Sequence, residues 1–192
     1  MKIEAKVPFE VVLKRFHETH LQDLEHEANT NVEAEEHVRN SDAMLGTWSR
    51  VSLSRQDILG VILPWHTGEE GGEFELISKA GLTVADTIAL LHAKSDSYPV
   101  TNPGCWTKLR WLAAAPFTPL FLSTKAVTGV DYEELTVTEG LIHLDGLHRM
   151  LAWELWGRLP EEETIEAYLS GIPTPSLAAG PSETGRVHQS GV

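Results

Sequence analysis

The segment from Leu141 to Trp153 reads Leu-Ile-His-Leu-Asp-Gly-Leu-His-Arg-Met-Leu-Ala-Trp and brings polar side chains to the point where a strand turns into a helix. On the two-residue period of a strand, His143 and Asp145 share one face while Ile142 and Leu144 point the other way. Gly146 supplies backbone angles closed to other residues. The helix behind it exposes unpaired N–H groups at the positive end of its dipole, so an anion is stabilised there. His148 and Arg149 stand in the first helical turn, where a cation is unfavourable unless a negative group lies between it and the helix end. The residue types therefore fit a phosphate or sulfate held by Gly146, Leu147, His148 and Arg149. His143, Asp145 and His148 are the candidate catalytic groups, with Asp145 or His143 able to bind Mg²⁺ or act as base. The competing reading is local: Arg149 pairs with Asp145 as a cap, and His148 is a structural histidine. The run Met150 to Trp156 is apolar on nearly every side, which marks a buried helix able to hold the polar turn rigid.

With Gly157 and the stretch Thr164 to Leu169, this segment resembles the Gly-x-His-Arg region of the ParB/sulfiredoxin superfamily, over about Pro119 to Gly171. The resemblance implies a small mixed α/β domain whose Gly-x-x-Arg turn holds nucleotide phosphates. Gly146, His148 and Arg149 would then touch phosphate, and Asp145 would be the acidic residue before the glycine. Leu147 stands where sulfiredoxin carries its cysteine, which disfavours that chemistry. The basic helix-turn-helix of ParB proteins is also missing, which disfavours DNA partitioning. The free-serine kinase branch is nearest, although its upstream glutamate base finds no aligned counterpart here. The activity implied is phosphoryl transfer to a hydroxylated amino acid or similar metabolite, with ATP or ADP and Mg²⁺ as cofactors. Two alternatives stand beside it: an elimination or ring closure that expels sulfate or phosphate, and a nucleotide-sensing or protein-binding module.

The elements that must position this turn give an α+β fold with a small mixed sheet. The expected organisation is a helical acidic appendage over 1–45, a mixed α/β domain over 46–171, and a disordered tail over 172–192. Val12, Leu13, Phe16, Leu21 and Leu24 follow helical spacing, with a break near Asn29-Thr30-Asn31. Strands are expected over Trp48 to Leu53, Ile58 to Leu63, Phe74 to Ile77, Leu120 to Leu122, Leu135 to Leu144 around a turn at Glu139-Gly140, and Thr164 to Leu169. Thr83 with Asp86 is a capping pair for a helix to about Ala93, and Cys105 to Ala115 is a helix stopped by Pro116.

Twenty-eight acids against fifteen bases give a net charge of −13, which excludes nucleic-acid binding by charge alone. No apolar run has membrane-spanning length and no apolar leader follows Met1, so a cytoplasmic, non-membrane protein is expected, as a homo-oligomer or with a second subunit completing the site. The single cysteine excludes an intramolecular disulfide and a cysteine-built zinc site. Cys105 reads first as buried filler and second as a nucleophile. His17 and His20 are spaced three apart, one short of the zinc-protease motif; they could share a metal with His26 or Glu25, but a solvated helix face is the stronger reading and no metal site is assigned. Lys108 or Arg110 would add positive charge to the anion pocket. The glycines from Gly68 to Gly72 lack the lysine and hydroxyl residue of a phosphate loop.

Overall fold

A computed structural model describes residues 1–20, 31–67 and 75–173. The expected Gly68–Gly72 loop, Phe74, Glu25, His26 and most of the tail lie outside the described residues.

The chain runs β1 (Lys2–Val7), α1 (Phe9–Thr19), α2 (Asn31–Leu45), β2 (Trp48–Leu53), α3 (Arg55–Leu59), β3 (Ile62–Leu63), β4 (Leu82–Thr83), α4 (Val84–Ala93), α5 (Tyr98–Thr101), α6 (Pro103–Ala114), β5 (Leu120–Lys125), β6 (Glu139–Asp145), α7 (Leu147–Leu155) and β7 (Ile165–Ser170). The strands form one mixed seven-stranded sheet in the order β1-β2-β7-β5-β6-β3-β4. β5 runs parallel to β7 and β3 parallel to β6; the other neighbours are antiparallel. The fold is α+β.

Alternation along the central strands loads both faces. Leu120, Leu122, Leu141, Ala167 and Leu169 join the core beneath α4, α6 and α7. Phe121, Ile142, Leu144 and Tyr168 join a second core with Val12 and Phe16 of α1 and Val38 of α2. Among the described residues before β2, β1 joins the sheet and α1 and α2 pack on its second face. β1 pairs with β2 at the edge, and burial of Val12, Phe16 and Val38 fixes α1 and α2 on the second face.

Two further boundaries differ from the expected ones. Ser54-Arg55-Gln56-Asp57 is not a turn between strands but the start of α3. The Ser54 hydroxyl accepts from the Asp57 N–H, and the Asp57 carboxylate accepts from the Ser54 N–H, so the run Ile58 to Leu63 divides between a short helix and a short strand. β6 begins at Glu139 instead of turning there, and Leu135 packs from outside any strand. The expected strand at Leu76-Ile77 is reduced to a single bridge between Ile77 and His66. No helix among the described residues is long and apolar enough to cross a membrane.

Candidate functional site

β6 delivers His143 and Asp145 to its C-terminal end, and Gly146 then turns the chain into α7 with φ 112°, a left-handed angle that a residue with a Cβ adopts only under strain. A Cβ there would also lie 2.5 Å from Leu120 Cδ2. Gly146, the N-cap residue, has no side chain to cap α7. His143 Nε2 accepts the Leu147 N–H at 2.9 Å from inside the core, while its Nδ1 is buried without a hydrogen-bond partner. Burial pushes this imidazole down to about 3, so it is neutral at physiological pH and acts on the turn as an acceptor.

Arg149 is a staple. Its guanidinium donates to Asp145, to Thr118 Oγ1 and to the Pro119 carbonyl, tying the first turn of α7 to the entrance of β5. His20, at the C-terminus of α1, approaches the same carboxylate at 3.2 Å and stacks on Phe16 with ring centroids 3.9 Å apart. Burial would raise the Asp145 carboxyl, but the Arg149 guanidinium and His20 hold it well below the usual carboxylate range. The local pairing weighed from sequence is thus present, and the carboxylate is ionised and engaged.

Two pockets meet at this turn. The first, of about 300 Å³, has Trp111, Leu112 and Trp153 as its apolar wall and Lys108, Arg149 and His20 as polar lining. The Trp153 Nε1 is buried without a hydrogen-bond partner. The second, of about 420 Å³, is acidic and histidine-rich, with Glu33, His37, Asp131, His66 and His143. Asp145 and His148 line both. In the second pocket, donor atoms of Glu33, His37 and Asp131 lie within 4.8 Å of one another, and burial together with the Glu33 charge raises the Asp131 carboxyl.

Residues 1–188 match DUF6309, a family of unknown function. The chain belongs to that family. Comparison with curated proteins and with solved structures returns no match.

Of the residues expected at the turn of this DUF6309 member, Asp145, Gly146, His148 and Arg149 line the first pocket with Lys108, Leu147 and His143 line the second, and Arg110 is exposed. His148 directs its Nε2 to Cys105 Sγ at 3.3 Å. His17 and His20 do not converge: His17 Nε2 meets Glu35 at 2.8 Å while His20 meets Asp145, and His26 and Glu25 lie outside the described residues. Glu33, His37, Asp131 and His66 were missed, because nothing in local spacing relates α2, the segments flanking β3, and residue 131.

Proposed function

We infer that this chain is an enzyme that holds a phosphate group at the start of α7 and transfers phosphoryl to a hydroxylated amino acid or a metabolite like it. The observation that carries the reading is the adjacency of a basic pocket and an acidic one across Asp145 and His148. Phosphoryl transfer needs cations around the moving group and carboxylates where the acceptor and a divalent ion sit.

Lys108, the first-turn amides of α7 beyond Leu147 and the edge of Arg149 bind and orient the anion. Asp145 and His143 are positioning residues: one fixes the Arg149 guanidinium, the other the Leu147 amide. Glu33, exposed at the rim of the second pocket, faces the space where the acceptor hydroxyl would enter. Mg²⁺ fits the oxygen-rich set of Glu33 and Asp131 with His37, and not Asp145, whose carboxylate is already engaged. When bound it supplies neutralisation of phosphate charge. ATP or ADP as donor follows from the resemblance of the α7 turn to the ParB/sulfiredoxin superfamily.

The first pocket sits at the low end of ligand-pocket volumes, roughly 300 to 1,000 Å³. That size favours a second reading, in which a smaller substrate expels sulfate or phosphate without nucleotide. The deciding experiment incubates the protein with ATP or ADP, Mg²⁺ and a panel of hydroxylated amino acids, and separately with sulfated or phosphorylated amino-acid esters alone. A phosphorylated product that needs nucleotide, and is lost in Lys108→Ala, supports transfer. Nucleotide-independent anion release overturns it in favour of elimination. Nucleotide binding with no turnover in either arm overturns both and leaves a sensing module.

A further inference from the structure

Beneath the anion site, α6, α7 and the segment after β3 bring three soft or borderline ligands together. Cys105 Sγ, Nε2 of His148 and a ring nitrogen of His66 all lie within 4.8 Å of one another, with Sγ and His148 Nε2 3.3 Å apart. The two imidazoles stand edge to face, their centroids 4.8 Å apart at 82°. Cys105 is fully buried, and His66 Nε2 is buried with no hydrogen-bond partner among the described residues. An unsatisfied buried nitrogen is destabilising unless something fills its lone pair or takes its proton. Against the expectation drawn from a single cysteine, we propose that Cys105, completed by His66 and His148, binds a thiophilic divalent transition-metal ion, with Zn²⁺ the occupant.

The donor chemistry selects the metal. One thiolate and two imidazoles suit Zn²⁺ and exclude Mg²⁺ and Ca²⁺, which take oxygen ligands. At Zn–S of about 2.3 Å and Zn–N of about 2.0 to 2.1 Å, tetrahedral ligands lie roughly 3.4 to 3.6 Å apart, close to the Cys105–His148 separation. His66 needs only a small approach to complete the set. Tyr98 donates its hydroxyl to Sγ at 3.0 Å, a contact that favours the thiolate, and the thiol proton leaves to solvent as the metal binds. Lys108 is a charged neighbour of His66, and the thiolate charge offsets its repulsion of the ion. Three protein ligands leave a fourth position, and His66 and His148 both line the second pocket, so that position faces it. Full burial of Sγ argues against a cysteine nucleophile, which must reach its substrate.

The site does not rest on the anion reading and is tested without any activity. The full untagged chain is stripped with a chelator, dialysed against Zn²⁺, and its metal content measured; Co²⁺ is then substituted and its absorption recorded. The expected result is one Zn²⁺ per chain, a raised Tm, and a near-ultraviolet sulfur-to-cobalt charge-transfer band. Cys105→Ser and His66→Gln should each weaken Zn²⁺ binding by more than about 100-fold, beyond the loss from an outer-shell change. Cobalt spectroscopy on the unaltered chain keeps the test decisive if Cys105→Ser does not fold. Absence of retained Zn²⁺, cobalt binding without the charge-transfer band, or unchanged affinity in folded His66→Gln would each overturn the proposal.

Discussion

Helices α4 and α7 both follow directly on a strand, and they begin in opposite ways. At α4 the Thr83 hydroxyl accepts the Asp86 N–H at 3.0 Å, and the Asp86 carboxylate reaches back to Thr83, so residues of the helix itself satisfy its start. At α7 the N-cap is a left-handed glycine with no side chain of its own to offer, and the polar groups around the start come from elsewhere: His143 from β6, which accepts the Leu147 N–H, Thr118 from the approach to β5, His20 from α1 and Lys108 from α6. A helix whose only task is to cover a sheet is sealed by its own residues. The start of α7, braced from other elements and lined by a pocket, is where the proposed anion would sit.

The largest effect that sharpens this contrast is on the brace. Trp153 is fully buried between α7 and the core, so Trp153→Ala should cost roughly 3 to 5 kcal/mol in chemical denaturation. Trp156, two-fifths exposed at the helix end, should cost far less, although its sequence context reads as equally apolar. Gly146→Ala combines a forbidden backbone angle with a Cβ against Leu120 and should cost about 2 kcal/mol. Gly60→Ala, at φ −84° with only ordinary contacts around its Cβ, should stay within roughly 0.5 kcal/mol.

The His143 imidazole gives a pH signature of similar size. It stays neutral when folded down to about 3, whereas an exposed histidine protonates near 6.5. Between those values the unfolded chain binds a proton that the folded chain does not, so stability falls as the pH drops from 6.5 toward 3. His143→Gln, whose amide oxygen can still accept the Leu147 N–H, should remove about 2 kcal/mol of that decline between pH 6.5 and 4.5. Equal slopes in variant and parent would show that the turn is not braced from a dry interior. A smaller effect than either belongs to the sealed helix: Thr83→Ala should cost about 1 kcal/mol and leave anion binding untouched.

What could be read from the chain follows the same division. The α4 start was legible because a capping pair is three residues long. Asp145 to Arg149 was legible because a glycine between a strand and an apolar helix, followed by two cations, breaks the ordinary rules of helix starts. β1 was overlooked although Ile3, Ala5 and Val7 alternate with Lys2, Glu4 and Lys6, because an edge strand that is mostly exposed carries little apolar signal. The run Ile58 to Leu63 has too short a period to separate helix from strand, and its Ser54-Asp57 cap was the better guide. Cys105 and His148 are 43 residues apart and His66 lies farther still, so only the packing of α6 on α7 reveals the cluster. Glu33 and Asp131 are joined by the sheet in the same way.

The account turns on whether the open start of α7 takes an anion and the sealed start of α4 does not. Titrating inorganic phosphate and sulfate into ¹⁵N-labelled protein, and following the backbone amides of Leu147, His148 and Arg149 against those of Ala85 and Asp86, reads both starts in one sample. Saturable shifts at the α7 amides, absent at α4 and weakened roughly tenfold or more by Lys108→Ala, are the predicted result. No shift at α7, or equal weak shifts at both helices, would contradict it.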